Sequence, residues 1–194
     1  MTWQDVASEM LVQMHPDLWD NPAFEEGVGS VRPGEGWLLY GLVRALRPAW
    51  ILEVGTGYGF STLHLAAGCH DNGHGTVFSI EPEPGRRQAA QNWLRKGGVA
   101  QWAVLCATWP NLVYVDLAFF DAVHTAQAVA SYFAAVELLL VQEAVVVVHN
   151  GCHEDHAAKA LEIAGFDDQW TVLRLPGTSK GGLAVLARKA RIEE

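Results

Sequence analysis

Apolar side chains recur at Trp3, Val6, Met10, Leu11 and Met14, the three-to-four-residue spacing of a helix with one buried face. The pattern predicts an opening helix that His15-Pro16 stops, because proline disfavours helical backbone in the residue before it. From Asp17 to Gly36 the periodicity fades and Pro and Gly become frequent, which predicts a loop with the makings of a lid. A second helix is expected over residues 37–46, closed by Pro48.

Beyond Ala49 the rhythm changes. Short β-branched and aromatic runs at 50–54, 76–80, 101–105, 115–120 and 143–148 read as strands. Helical stretches at 61–67, 84–96, 125–141 and 153–164 separate or follow them. In the third such helix Ala126, Val129, Phe133, Val136 and Leu140 would share one face. Two closing strands, 170–175 and 183–187, flank Pro176-Gly177. Strands alternating with helices of this length form parallel βαβ units. The run Val145 to Val148 has no polar face, as a strand covered on both sides requires. The expectation is an α/β fold: a Rossmann-like doubly wound sheet, mostly parallel with an antiparallel closing strand, and helices on both faces. One domain is expected over 1–194, with N-terminal helices and lid at 1–47 and the sheet core at 48–194. Ligands of such sheets bind beyond the carboxyl ends of the strands, so those ends are where chemistry is sought.

The first strand runs into Glu53-Val54-Gly55-Thr56-Gly57-Tyr58-Gly59-Phe60-Ser61. Glycines permit a sharp turn and close ligand approach, and the helix that follows offers free N–H groups to an anionic group. A dinucleotide fingerprint fails, because its third glycine position falls on Phe60. A P-loop fails for lack of Gly-Lys-Ser/Thr. What remains, an acid followed by G-x-G-x-G between strand and helix, resembles the class I S-adenosylmethionine-dependent methyltransferases. The resemblance implies that Glu53, Gly55, Thr56, Gly57, Gly59 and Ser61 hold the methionine end of S-adenosyl-L-methionine. Glu81 ends the second strand, 24 residues after Gly57, about where a βαβ unit puts an acid on a ribose; the family pattern implies the same role. After the third strand the family contacts adenine. Thr108 is the candidate there, with a plain loop equally open, since the acid common at that place is missing.

The fourth strand ends in Phe120-Asp121-Ala122-Val123-His124 and the fifth in Val148-His149-Asn150-Gly151. From about residue 30 to residue 187 the chain looks like the catechol-type small-molecule O-methyltransferases and a related group with an Asp-Gly-Asp-His segment. That likeness implies a divalent metal held by Asp121, His149 and Asn150, a catalytic base at His124, Asp121 beside it or at the cofactor, and Val31 of the Ser30–Gly36 stretch against the cofactor. The family pair opens with Asp where this chain has His149. Mg²⁺ prefers hard oxygen donors, whereas imidazole suits Zn, Fe, Ni or Cu, so the metal is either a different one or absent. Asp121 could also serve as a helix cap before Thr125. Cys152, His153, Asp155 and His156 could form a separate transition-metal cluster with His149 if a helix began there; the turn at Gly151 argues instead for a solvated face of scattered histidines. Trp19, Trp37 and Trp109 could stack on an aromatic acceptor or simply pack.

Composition narrows the function classes. Half of the 194 residues are hydrophobic and 18% are charged, which excludes a disordered chain. The formal net charge of −9 and the absence of a Lys/Arg run argue against nucleic acid. Three cysteines, Cys69, Cys106 and Cys152, form no disulfide framework and suit a reducing cytoplasm. The first residues lack the pattern of a signal peptide, and no apolar run is long enough for a membrane span. The expected function is O-methylation of a small hydroxylated molecule; a homodimer is left open. RNA or protein methylation, a non-catalytic cofactor-binding module, and a metal-dependent hydrolase using the histidine cluster are the alternatives.

Overall fold

The computed structural model describes residues 1–18, 31–176 and 181–189. Most of the expected lid, with Trp19 and Ser30, lies outside them, as does Gly177 in the closing turn. The chain divides into two compact units, 1–111 and 112–194.

The first unit opens with α1 (Trp3–Leu18) and α2 (Pro33–Leu46) and continues β1 (Trp50–Val54), α3 (Phe60–Asn72), β2 (Thr76–Ile80), α4 (Pro84–Lys96) and β3 (Ala103–Cys106). Its strands lie in the order β3-β2-β1, all parallel. Trp50 pairs with Thr76 and Val54 with Ile80, so the carboxyl ends of β1 and β2 are level. Residues 60–69 of α3 are buried on every side, which accounts for their nearly uniform apolar and small character. Among them His64 is 1% exposed. It sits against Phe60 and Trp3, at ring centroid distances of 4.6 and 5.6 Å, and its Nδ1 donates to the Phe60 carbonyl at 2.8 Å. Burial pushes its pKa down to about 4. At the start of α4, Pro84 takes the first helical position and the Glu83 carboxylate accepts from the N–H groups of Gly85 and Arg86, the residue pattern that starts helices.

The second unit runs β4 (Val115–Phe120), α5 (Ala126–Val136), β5 (Leu140–His149), α6 (His156–Ala164), β6 (Trp170–Leu175) and β7 (Leu183–Arg188). β5 is parallel to β4 and antiparallel to β7; β7 is antiparallel to β6, giving the order β4-β5-β7-β6. Leu117, Phe119, Phe120, Phe133, Val146 and Val147 are at most 1% exposed and form the centre of its core. No described helix is long and apolar enough to cross a membrane.

Several boundaries depart from the sequence expectation, and four of them show the physical reason. α1 continues through His15-Pro16 to Leu18, since a proline near a helix end forfeits only one backbone bond. α2 starts at Pro33, inside the predicted loop, with the Arg32 N–H donating to Glu35 at 2.8 Å; proline at the first turn is an initiator, not a breaker. A 3-10 turn at Ala100–Trp102 delays β3 to Ala103. The helix expected over 125–141 ends at Val136; Leu140 is buried by pairing opposite Val115 as the first residue of β5, and not on a helix face.

Candidate functional site

In the first unit, β1 delivers Glu53 to the interior, fully buried. Its Oε2 accepts hydrogen bonds from the hydroxyls of Thr62 and Ser79, each at 2.5 Å, and Ser79 in turn meets the Thr56 hydroxyl at 2.5 Å. A buried carboxylate is tolerated only when so satisfied. The relay joins the end of β1, the middle of β2, the first turn of α3 and the glycine loop. Glu53 and Thr56 thus bond within the protein and set the loop's position. Thr62 and Ser79 went unnoticed in the sequence, where nothing distinguishes them from other hydroxyl residues.

The loop backbone is fixed by the Gly55 and Thr56 N–H groups, which both donate to the Ile80 carbonyl at 3.0 and 3.1 Å. Gly57 has φ +52° and nothing within 4 Å of the place a Cβ would occupy. Gly59, φ +92°, caps α3, and a Cβ there would lie 2.8 Å from the Ala90 Cβ. One glycine therefore faces open space while the other admits α4. Ser61 is buried in the first turn of α3, and Val31 is buried just before α2.

Glu81 follows β2 directly and is 6% exposed. Its Oε2 accepts from the Gly57 N–H and its Oε1 from the Glu83 N–H, both at 3.0 Å. The Arg87 guanidinium donates to the Glu81 carbonyl at 2.5 Å, a support that sequence reading did not identify. A carboxylate offers about four acceptor positions, so these two bonds leave capacity for a ligand's hydroxyls. The structure brings Glu81 and the glycine loop together. Thr108 lies exposed, two residues past β3, and Trp109 and Trp37 are about half exposed.

In the second unit, Asp121 leaves the end of β4 and His149 ends β5. His149 Nδ1 lies 2.6 Å from Asp121 Oδ1 and donates to it, with the imidazole 2% and the carboxylate 9% exposed. His124, 10% exposed, holds its Nε2 3.8 Å from the same oxygen, and the His124 and His149 rings meet edge to face at 5.5 Å. The close partner of Asp121 is therefore His149, with His124 a looser third member; ligand atoms of all three fall within 4.8 Å of one another. Burial pushes the His124 imidazole below its ordinary pKa, against the pull of the Asp121 carboxylate. Thr125 caps α5 with its hydroxyl, accepting from the Ala128 N–H at 3.2 Å, so the cap role considered for Asp121 belongs to Thr125. Asn150 adopts a left-handed backbone, φ +54°, and turns the chain away from β5. α6 begins only at His156, so His149 and His153 do not share a helix face.

Comparison with known proteins agrees with both units. A family model described as a methyltransferase domain matches residues 52–151. A protein of Mycolicibacterium paratuberculosis named as a candidate O-methyltransferase is 34% identical over 152 residues, covering 73% of this chain and 67% of the relative. One so named from Mycobacterium sp. (strain JLS) is 39% identical over 75 residues, 39% of this chain; that match spans 34% of the relative's length, about a third. Among solved structures, the O-methyltransferase TomG from Streptomyces achromogenes, in complex with S-adenosylmethionine, superposes with TM-score 0.68 at 22% identity, covering 97% of this chain and 89% of that one. An O-methyltransferase from Bacillus cereus in complex with S-adenosylhomocysteine gives 0.70 at 20% identity, covering 96% and 91%. These structural likenesses establish the Rossmann-like α/β fold. With a glycine loop after β1, an acid after β2 and a family match over residues 52–151, the chain belongs to the class I S-adenosylmethionine-dependent methyltransferases.

Proposed function

We propose that this chain binds S-adenosyl-L-methionine on the Gly55–Gly59 loop and Glu81, and transfers its methyl group to a hydroxyl of a small molecule. The observation that carries the reading is Gly57: its left-handed turn leaves the Cβ direction open, and its N–H is tied to Glu81. A ligand can therefore approach bare backbone beside a carboxylate with acceptor positions to spare. Glu81 accepts from the ribose hydroxyls; Gly55, Thr56, Gly57, Gly59 and Ser61 form the turn and helix start for the methionine end; Glu53 positions that turn through Ser79 and Thr62. Val31 and Thr108 are lesser contacts of the same cofactor.

Methyl transfer from a sulfonium is an in-line displacement, favoured when donor and acceptor are held in place and water is excluded. A hydroxyl reacts faster as it loses its proton. His124 is the proposed base: its lowered pKa keeps the imidazole neutral, hence able to accept a proton, near pH 7. Asp121 positions the two imidazoles. The divalent metal that the catechol-type resemblance implies would require Asp121, His149 and Asn150. A hard cation such as Mg²⁺ does not fit that set, because the Asp121 oxygen is engaged by His149 and the second donor is an imidazole. No step is assigned to it.

The acidic net charge favours a small acceptor over nucleic acid, and three free cysteines suit a reducing, cytoplasmic setting. Calorimetry with S-adenosylmethionine and S-adenosylhomocysteine tests the cofactor reading; both should bind, and NAD should not. Absence of heat with both ligands on folded protein would overturn it. Transfer of labelled methyl from S-adenosylmethionine across a panel of phenols and alcohols tests the acceptor class.

A further inference from the structure

The turn between β5 and α6 has a geometry that methyl transfer leaves unused. After Cys152, a 3-10 turn at His153–Asp155 leads into α6. Within it Glu154 (φ 45°, ψ 25°) and Asp155 (φ 62°, ψ 33°) are both left-handed. Each such residue with a β-carbon costs about 1–2 kcal/mol, and a glycine or asparagine at either place would lower that cost. Two adjacent departures of this kind point to a function for the conformation. For Asp155 a compensation is visible. Its carboxylate takes Arg174 Nε at 2.6 Å and Nη2 at 3.1 Å, a two-pronged pair that anchors the turn to β6. For Glu154, whose side chain is 68% exposed, no comparable anchor is at hand among the described residues. The conformation instead brings its carboxylate to 3.9 Å from His156 Nε2, and the His153 and His156 rings to 5.2 Å of each other. One donor atom from each of His153, Glu154 and His156 falls within 4.8 Å of the others.

We infer that His153, Glu154 and His156 form a binding site for a transition-metal dication of the zinc type. Two imidazoles and one carboxylate are the donor set that suits Zn²⁺ or Ni²⁺ and disfavours Mg²⁺ and Ca²⁺. A tetrahedral zinc with ligands at about 2.0–2.1 Å sets them roughly 3.4 Å apart. Small side-chain rotations close the present spacing to that value and leave a fourth position for water. The left-handed backbone at Glu154 then has a use: it turns the carboxylate toward the histidines that precede and follow it. Asp155, spent on Arg174, holds the turn without competing as a ligand. The donor set shares no residue with the Asp121–His124–His149 cluster, although His156 interacts with the His124 backbone, and the assignment of methyl transfer does not enter it.

Titration calorimetry of the metal-stripped full-length chain with ZnCl₂ at neutral pH tests the inference. One zinc per chain should bind to the wild type. The His153→Ala/His156→Ala double variant should weaken binding on the order of 100-fold, and Glu154→Gln on the order of 10-fold. Asp121→Asn should leave it unchanged. Circular dichroism checks that the variants fold; if the double variant does not, the exposed Glu154→Gln change decides alone. No one-to-one binding in the wild type, undiminished binding in both the double variant and Glu154→Gln, or binding lost on Asp121→Asn would each overturn the site.

Discussion

Gly57 and Gly59 allow one substitution to be made twice with different expected costs. Both have positive φ, so alanine at either is strained by about 1–2 kcal/mol, partly offset because alanine also restricts the unfolded chain. At Gly57 the new methyl meets nothing within 4 Å, so strain is the whole cost, about 1 kcal/mol. At Gly59 it would lie 2.8 Å from the Ala90 Cβ and 3.0 Å from the Ala90 Cα. Carbon atoms settle at about 3.5–4.0 Å, and α4 backbone cannot rotate away as a side chain can. Overpacking of this kind adds about 1–3 kcal/mol, for a total of roughly 2–4 kcal/mol at Gly59. With a urea dependence of about 2 kcal/mol per molar, the unfolding midpoint should fall by about 0.5 M in Gly57→Ala and by about 1–2 M in Gly59→Ala. Cofactor binding should show the reverse emphasis. Gly57→Ala puts a methyl where the proposed ligand approaches, so calorimetry should show S-adenosylmethionine affinity reduced about tenfold or more, about 1.4 kcal/mol, on a stably folded protein. Equal midpoint shifts would refute the packing argument. Unaltered affinity in Gly57→Ala would refute the approach of the cofactor over that residue.

Replacing Glu81 by alanine should lower S-adenosylmethionine affinity more than Glu81→Gln does, because glutamine keeps an acceptor oxygen whereas alanine removes the acceptor of the Gly57 and Glu83 N–H groups; paired calorimetry and urea melts measure both effects. His64 is kept neutral by burial, with a folded pKa of about 4 against 6.5 unfolded. The unfolded state therefore binds more protons as pH falls below 6.5, and stability should drop by about 3 kcal/mol between pH 6.5 and 4 from this residue alone. In His64→Phe the pH dependence of the urea midpoint should be flatter over that window. With the proposed base His124 held below the ordinary imidazole pKa, methyl transfer should lose its activity toward acid pH at a midpoint below 6.5; a profile unchanged in His124→Gln would remove the residue from the mechanism.

Periodicity placed β1, β2, α4, β4 and β6 at the ends they have in the structure. Each combines β-branched or helical runs with a plain stop such as Glu81-Pro82 or Gly97. Proline was the main source of error. Pro16 and Pro33 read alike as breakers, yet one sits in the closing turn of α1 and the other opens α2. Leu140 shows the limit of spacing itself, since a single apolar residue four beyond Val136 satisfies a helix and a strand equally. In the site, the glycine loop and Glu81 were legible because backbone conformation and strand-end position leave marks in residue type. The Thr56–Ser79–Glu53–Thr62 relay and the preference of Asp121 for His149 were not, because they depend on side-chain directions across strands far apart in sequence.

β7 is made after β6 yet lies between it and β5. A growing chain that has emerged only as far as Leu175 holds in β6 a strand whose neighbour does not yet exist, with Leu173 on it 59% exposed even in the finished fold. For the time needed to synthesise Leu183–Arg188, the edge of β5 is open too, and both present unpaired backbone to any passing strand. Ribosome-bound chains halted just before Leu183 should therefore be the ones that chaperones engage, and release of a few further residues should end that engagement.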